Sequence, residues 1–295
     1  MIAVRLEGGL GNQLFQYAAG RALAFSHGTG LLLDISTLLR DRRGRVTPRD
    51  LELNHFKHVA RLGTPSESRL MPWLHRIPAV SRLISPWQTF VEKGLDFNPP
   101  YSRLPDNTYL VGYWQSYRYL ANISSLLASE LQPVAALSPA SNEIAEQIEA
   151  CMSVSVHVRR GDYVTLASAA SIHGTLPFSY YKKAFECVQN QIGPVKYFVF
   201  SDDAAWCREN LQVHDRETVF ISHNVGDNAW QDLILMGRCR HHIIANSSFS
   251  WWGAWLADQH WSGSPRLVVA PKRWFAGLPD QNLRDRFPPH WMILS

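Results

Sequence analysis

Short apolar runs alternate along this chain with stretches in which apolar residues recur at helical spacing. Residues 2–6, 31–34 and 154–158 are short and rich in aliphatic or β-branched residues, which is typical of buried strands. Residues 14–24 and 179–191 have the periodicity of helices packed on a sheet. Strands that alternate with helices predict parallel sheets and therefore an α/β fold.

The length of 295 residues suits two domains of ordinary size better than one. A proline-containing segment over residues 133–139 predicts a linker, so we expect domains over residues 1–138 and 139–295. Eight prolines break residues 40–110 into short pieces, among which a helix is predicted over residues 70–84.

Composition adds a preference for anionic ligands. The chain is 46% hydrophobic and 18% charged, as in ordinary globular proteins, and its net charge is +4. Only six of the 29 basic residues are lysine, and arginine offers a planar fork that matches phosphate and carboxylate. Because the densest basic segment, residues 40–45, is short, we expect anionic ligands or an acidic membrane surface and not nucleic acid.

The four cysteines are widely spaced and include no C-x-x-C pair, which argues against a structural zinc site or a disulfide framework. The N-terminus resembles no signal peptide, and no apolar run is long enough to cross a bilayer. We therefore expect a cytoplasmic protein, soluble or peripheral at the inner face of the plasma membrane.

The motif HVRRGDY over residues 157–163 ends a predicted strand with two guanidinium groups and a carboxylate. Side chains alternate across a strand, so His157 and Arg159 should share one face while Arg160 takes the other. Arg159 is then the arginine that shares a ligand with His157, and Asp162 is close enough to hold a guanidinium. A buried Arg–Asp pair that closes the strand is the structural alternative.

Two further polar groups follow predicted strands. Asp202 follows residues 196–201, and a strand from residue 241 leads into Asn246, Ser247 and Ser248 before a helix. Ligands of parallel sheets bind at the carboxyl ends of the strands, so these groups and residues 157–163 should face one crevice. Arginine for phosphate, a carboxylate for guanine or ribose, and hydroxyls at a helix N-terminus together suit a nucleoside diphosphate. Each group alone is also consistent with a turn or an N-cap.

A glycine-rich loop follows the first strand. Gly9, Gly11 and Asn12 lie between that strand and a predicted helix, which is an anion-binding arrangement. Asp34 ends the second strand 23 residues after Gly11, as in the dinucleotide fingerprint, although Leu14 replaces the third glycine. The loop therefore keeps open an NAD(P)- or flavin-dependent oxidoreductase.

Two segments of the chain are rich in aromatic side chains. The segment GYWQ over residues 112–115 suits a sugar ring, with core packing as the alternative, whereas the helical spacing of Trp251 and Trp255 favours core packing. Residues 163–177 predict a long loop that could form a lid or an acceptor wall.

Taken together, the motifs over residues 8–18, 157–163 and 244–252 resemble the α-1,2-fucosyltransferases of glycosyltransferase family 11. The segments over residues 112–115 and 230–236 stand in the order expected for that family. The resemblance implies a GT-B-like fold of two Rossmann-like domains with a cleft between them. The first domain would carry the acceptor side, and the second would bind GDP-fucose.

The resemblance also implies roles for residues in an inverting, metal-independent transfer. His157 and Asp202 would contact guanine, and Arg159 the β-phosphate. The remaining residues of the expected binding set are Arg160, Asn246, Ser247, Ser248, Gly9, Gly11 and Asn12. Some inverting fucosyltransferases carry a base glutamate where this chain has Ala167, so the expected catalytic residues are Arg159 and Asp162, with Asp34 and Glu7 as further candidate bases.

We therefore expect transfer of L-fucose to the 2-hydroxyl of a galactoside, with no cofactor besides the donor substrate. The expected acceptor is a galactose-terminated surface glycan or a lipid-linked oligosaccharide. A nucleotide-sugar binding module without turnover is a further alternative.

Overall fold

The computed structural model describes residues 1–38, 50–64, 87–211, 217–278 and 283–294, with the side chains of residues 162, 168 and 169 outside the description. The helix predicted over residues 70–84 and the basic segment over residues 40–45 lie outside the described residues.

The chain forms two units, Met1–Ala135 with Asn282–Phe287, and Ala136–Gln281 with Pro288–Ser295. The sequence placed the boundary after residue 138 and assigned the segment around residue 285 to the second unit. Contacts explain why that segment belongs to the first unit. Arg118 Nη1 lies 3.2 Å from an Asp285 carboxylate oxygen, and the N–H of Tyr117 donates to the Asp285 carbonyl at 3.1 Å.

The described strands of the first unit form one parallel sheet in the order β3-β2-β1-β5-β4. They are β1 (Ile2–Arg5), β2 (Leu31–Asp34), β3 (Arg61–Leu62), β4 (Gln88–Val91) and β5 (Thr108–Val111). The chain builds outward from β1 through β2 to β3 and then resumes on the other side of β1. The order therefore reverses between β1 and β5, the place where parallel sheets form ligand crevices.

Helix α1 (Leu10–Ser26) follows β1 and buries much of its surface. The sequence predicted a start at residue 14, but the helix begins at Leu10, so Gly11 and Asn12 lie in its first turn and not in a loop. A distant carboxylate supports the earlier start, because the N–H of Leu10 donates to Glu52 Oε1 at 3.2 Å. The other described helices of this unit are α2 (Ser124–Glu130) and the 3₁₀ segments Glu52–His55, Pro99–Arg103, Tyr117–Tyr119 and Ala121–Ile123.

The second unit has a parallel sheet in the order β11-β10-β9-β6-β7-β8. Its described strands are β6 (Ser153–Val158), β7 (Lys196–Ser201), β8 (Thr218–Ile221), β9 (His241–Ile243), β10 (Val268–Pro271) and β11 (Met292–Leu294). The order reverses between β6 and β9, so the crevice of this sheet lies where those strands end. Together, the two sheets confirm the predicted α/β fold.

Helices flank the second sheet. They are α3 (Pro139–Glu149), α4 (Gly161–Thr165), α5 (Ala167–Ile172), α6 (Phe178–Gln191), α7 (Ala204–Asn210), α8 (Trp230–Arg238) and α9 (Ser248–His260), with a 3₁₀ segment over Gly226–Asn228. Trp251 and Trp255 are buried in the core, as their spacing predicted. Among the described helices, none is both long and apolar enough to cross a membrane.

One local prediction in this unit was wrong, and one strand was not predicted. Residues 163–177 were expected to form a loop, but their first part is helical in α4 and α5. Alanine and serine are compatible with helix, so composition alone did not separate a loop from short helical turns. The C-terminal strand β11 was not predicted, because three residues that follow a proline- and tryptophan-containing stretch carry too little periodicity.

Asp34 has a structural role in the first unit. Its side chain is fully buried at the end of β2, where Oδ2 accepts from the Tyr109 hydroxyl at 2.7 Å and Oδ1 from the N–H of Ser36 at 3.0 Å. Burial and the neighbouring carboxylate raise the pKa of Tyr109, which keeps its hydroxyl protonated and donating. Both carboxylate oxygens of Asp34 therefore accept hydrogen bonds from groups of the first unit itself.

Tyr109→Phe should lower the free energy of unfolding by about 1–3 kcal/mol, because it leaves a buried carboxylate oxygen without its donor. Urea denaturation followed by circular dichroism measures the change. Tyr117→Phe is the matched control, since that half-buried tyrosine makes no hydroxyl hydrogen bond within the described residues. Equal effects of the two substitutions would contradict this role of Asp34.

Candidate functional site

The candidate site lies where β6, β7 and β9 end. Strand β6 lies between the other two, with Val158 opposite Ser201 of β7 and Val156 opposite Ile243 of β9. Residues that follow these strands therefore gather at one edge of the sheet, beside the point where strand order reverses. The convergence of three distant segments follows directly from this topology.

A carboxylate of the neighbouring strand holds Arg159. Arg159 Nη1 lies 2.9 Å from Asp202 Oδ2, and both side chains are 25% exposed. The other carboxylate oxygen of Asp202 accepts from the N–H of Arg160 at 2.8 Å. Asp202 thus fixes both the guanidinium of Arg159 and the backbone that follows β6. The sequence had assigned guanidinium holding to Asp162, whose side chain is outside the described residues.

Gly161 leaves room for this carboxylate. A Cβ atom at position 161 would lie 2.5 Å from Asp202 Oδ2 and 3.0 Å from its Cγ. Such a contact would displace the Asp202 carboxylate from its two donors. The glycine of the HVRRGDY motif therefore has a steric explanation.

Arg160 has different surroundings from Arg159, as strand alternation predicted. Its Nε donates to Asp203 Oδ2 at 3.1 Å, and its guanidinium carbon lies 3.9 Å from the Trp206 ring centroid. Asp203 also caps helix α7, because its Oδ1 accepts from the N–H of Trp206 at 3.1 Å. Arg160 therefore joins β6 to α7.

His157 is buried and neutral. Burial, followed by the charge of Arg159, lowers its pKa to about 3. Its backbone carbonyl accepts from the Tyr181 hydroxyl at 3.2 Å, and its ring centroid lies 5.9 Å from that of Phe249 in the first turn of α9. Within the described residues, its buried Nδ1 has no hydrogen-bond partner. A neutral imidazole in this position can bond to a polar ligand edge.

The segment after β9 forms the N-terminus of α9. Ser247 is the N-cap, and its side chain accepts from the N–H of Phe249 at 3.3 Å, while Ser248 is the first helical residue. Ser250 was not predicted as a site residue, but its hydroxyl accepts from the N–H of Ala245 at 3.2 Å and braces the same turn. The positive end of a helix of 13 residues therefore lies at the edge of the sheet that carries Arg159.

Asn246 supports neighbouring loops. Its Nδ2 lies 3.1 to 3.2 Å from the carbonyl oxygens of His173, Gly174 and Trp274. Because these contacts tie three backbone positions to the end of β9, we interpret Asn246 as a residue that positions the site. The sequence had predicted a direct role in substrate binding.

Tyr163 links the two halves of the site. Its hydroxyl donates to the carbonyl of Asn246 at 3.4 Å, and the Arg159 guanidinium lies 5.5 Å from its ring centroid. Tyr163 also contacts His173, whose ring stacks on that of Tyr163 with the centroids 4.8 Å apart and the planes at 7°. Tyr163 stood within the predicted motif, whereas His173 and Trp206 carried no signal in the sequence.

The remaining predicted residues lie in the first unit. Gly9 caps α1, and its carbonyl accepts from the N–H groups of Asn12 and Gln13 at 2.9 and 3.1 Å. The Leu10 N–H and the Asp34 carboxylate, two groups that a dinucleotide would need, are already bonded within the protein. These contacts do not support the oxidoreductase alternative.

No group of three or more His, Cys, Asp or Glu side chains in the described part of the chain is arranged to hold a metal ion.

Comparison with known sequences points to one family. The model of a family described as glycosyl transferase family 11 matches residues 97–294. An alpha-1,2-colitosyltransferase of Escherichia coli is 30% identical over 301 residues, covering 100% of this chain and 99% of that protein. The O-antigen biosynthesis glycosyltransferase WbnK of Escherichia coli is 32% identical over 293 residues, covering 92% and 94%. Galactoside alpha-(1,2)-fucosyltransferase 2 of Rattus norvegicus is 32% identical over 141 residues, covering 48% and 37%.

A solved structure supports the fold. The NodZ alpha-1,6-fucosyltransferase soaked with GDP-fucose has a TM-score of 0.50 and 15% identity, over 86% of this chain and 92% of that chain. The likeness and the two parallel sheets confirm the predicted GT-B-like class.

Acid should destabilise the protein partly through His157. Its folded pKa of about 3 lies below the ordinary value, so the unfolded chain binds a proton that the folded chain does not. Between pH 7 and pH 5 this residue should remove about 2 kcal/mol of stability. The His157→Gln variant should not show this part of the loss of stability between the two pH values, as measured by urea denaturation at each pH.

Part of the acid sensitivity should remain in the variant, because burial also lowers the pKa of His241, to about 4, and that of His242. Equal losses of stability in His157→Gln and wild type would contradict the lowered pKa of His157 in the folded protein.

Proposed function

Because this chain belongs to glycosyl transferase family 11, we propose that it transfers L-fucose from GDP-fucose to the 2-hydroxyl of a galactoside with inversion. The observation that carries this proposal is the arrangement around Arg159. Asp202 holds its guanidinium at the sheet edge where α9 begins, so two sources of positive potential lie at one strand-order reversal. A diphosphate leaving group needs this kind of site.

The donor residues follow from their contacts. We assign Arg159 and the first N–H groups of α9, at Ser247 and Ser248, to the diphosphate. His157, buried and neutral with Nδ1 available, suits the edge of guanine. Asp202 was expected to contact guanine, but both of its oxygens accept from arginine N–H groups, so we assign it to holding Arg159.

The reaction is a single displacement at the anomeric carbon of fucose. The acceptor 2-hydroxyl attacks on the face opposite GDP, the bond from the anomeric carbon to the phosphate oxygen breaks, and its electron pair leaves with GDP. Arg159 and the dipole of α9 stabilise the charge that develops on the leaving group. Asp162 and Glu7 remain candidate bases to take the proton of the acceptor hydroxyl, whereas the hydrogen bonds and full burial of Asp34 make it unsuited to that role.

We propose that the transfer needs no metal. Asp202 and Asp203 form the acidic pair at this edge, and they accept from Arg159 and Arg160 respectively. Carboxylates bonded to arginine in this way are poor ligands for a divalent cation, and the arginine N–H donors and the N-terminus of α9 can bind the diphosphate in place of a metal.

The proposed acceptor is a galactose-terminated glycan, free or lipid-linked. The name of the WbnK relative, an O-antigen biosynthesis glycosyltransferase, supports a surface glycan. A lipid-linked acceptor would be met by peripheral contact with an acidic membrane surface from the cytoplasm, which the arginine-rich composition favours. The colitosyltransferase relative aligns over the whole chain and makes nucleotide-linked colitose the second candidate donor.

The direct test incubates the protein with GDP-fucose and lactose and identifies the product linkage by NMR. We expect an α-1,2-linked fucoside, and we expect excess EDTA to leave the rate unchanged. Loss of transfer on chelation, with recovery on adding Mg²⁺ or Mn²⁺, would contradict the metal-independent mechanism. Hydrolysis or binding of GDP-fucose without transfer to any galactoside would contradict the proposed reaction.

The two motif arginines should differ in kinetics. Arg159→Ala should lower kcat roughly 100-fold or more, or about 3 kcal/mol, because it removes a charged contact to the leaving group. Arg160→Ala should mainly lower the melting temperature, since it removes the contacts with Asp203 and Trp206. Steady-state kinetics and calorimetric melting of both variants check this difference, and a reversed pattern in folded variants would contradict it.

A further inference from the structure

The turn after β5 has an unusual backbone. Trp114 adopts φ +57°, in the left-handed region that non-glycine residues rarely adopt. Its side chain is nonetheless fully buried, with ring centroids 5.2 to 6.1 Å from those of Tyr119, Tyr101 and Phe90. The surrounding core therefore holds a conformation that a tryptophan would not adopt on its own.

A carboxylate fixes the same turn. Glu92 Oε2 accepts from the N–H groups of Tyr113 and Trp114, each at 2.8 Å. A Cβ atom on Gly112 would lie 2.5 Å from Glu92 Cβ, so the glycine allows the carboxylate its close approach. Burial raises the pKa of Glu92, while the buried Arg286 nearby favours its charged form.

Because of this turn, the consecutive aromatic side chains of Tyr113 and Trp114 lie in different environments. Trp114 enters the core, and Tyr113 is 48% exposed. The sequence had drawn attention to the neighbourhood of Trp114 for acceptor selectivity, but the aromatic group presented to solvent is Tyr113. It lies two residues after the end of β5, beside the reversal of strand order between β5 and β1. That position is where a parallel sheet binds ligands.

Amide groups lie close to this tyrosine in the chain and are themselves fixed. Gln115 Nε2 donates to Asn12 Oδ1 at 2.7 Å, and Arg286 donates to Gln115 Oε1. Gln16 Nε2 also donates to the Gly112 carbonyl at 3.2 Å. The turn is thereby tied to the first turns of α1, so an exposed aromatic ring and two half-buried amides occupy one edge of the sheet.

We propose that Tyr113 is the platform on which the acceptor sugar stacks and that it determines acceptor specificity. This inference rests on the proposed function and identifies the part of the first unit that reads the galactoside. One face of galactose is lined by C–H groups that pack on an aromatic ring, and its hydroxyls suit amides such as those of Asn12 and Gln115. The backbone strain at Trp114 keeps the tyrosine pointing outward.

The test compares three variants in fucosyl transfer from GDP-fucose to lactose. Tyr113→Ala should raise the KM for lactose about tenfold or more, while the KM for GDP-fucose changes by less than about twofold. Tyr113→Phe should restore a lactose KM near that of wild type, because it keeps the ring. Phe25→Ala is the matched control, since Phe25 is 55% exposed in the last turn of α1 in the same unit.

An unchanged lactose KM in Tyr113→Ala would overturn the proposal, as would an equal rise in Phe25→Ala or in the KM for GDP-fucose. Saturation-transfer difference NMR with lactose needs no turnover and separates this inference from the proposed reaction. If the wild-type protein transfers no fucose, the proposed reaction is wrong. The role of Tyr113 is then supported only if lactose ring-proton signals are present with the wild-type protein and with Tyr113→Phe and are lost with Tyr113→Ala. Lactose signals of equal strength with wild type, Tyr113→Phe and Tyr113→Ala, or no signal with any of these proteins, would overturn the proposed role of Tyr113.

Discussion

The ion pair between Arg159 and Asp202 fixes the geometry on which the donor site depends. An arginine at the end of a strand has many rotamers, and its charge can stabilise a leaving group only if it is already in place. Asp202, which follows the neighbouring strand β7, fixes the Arg159 guanidinium with one carboxylate oxygen. Its other oxygen accepts from the backbone N–H of Arg160. Both side chains are partly withdrawn from water, which strengthens the interaction without isolating the arginine from a ligand.

The first unit uses the same physical arrangement at the end of its own strand. There the carboxylate is Glu92, and its acceptor contacts are the N–H groups of two consecutive residues after β5. Each carboxylate approaches a glycine, Gly161 in one unit and Gly112 in the other, at a distance that a Cβ atom would not permit. In both units, therefore, a partly buried carboxylate fixes the residues that follow a strand beside the reversal of strand order.

The glycine-rich loop after β1 resembles a dinucleotide-binding loop in sequence, but its contacts are structural. Strand, glycines and helix are present as in a dinucleotide site, yet Glu52 occupies the helix N-terminus. Gln13 is fully buried and bonds four backbone groups, at Gly8, Asp50, Glu52 and Leu53. The loop thus has a structural role in the first unit, because backbone groups that could bind a phosphate are bonded to the protein itself.

The sequence by itself determined the α/β class and the gathering of residues 157–163, 202 and 246–248 at one sheet edge. It could do so because period-2 and period-3.6 patterns are local, and because parallel strands necessarily place their carboxyl ends together. Only the tertiary structure decided which carboxylate meets which arginine, that Asp34 and Asn246 bond inward, and that Tyr113 rather than Trp114 faces solvent. Those outcomes depend on contacts between residues far apart in the chain, such as Arg159 with Asp202, and no local pattern specifies the partner of a side chain.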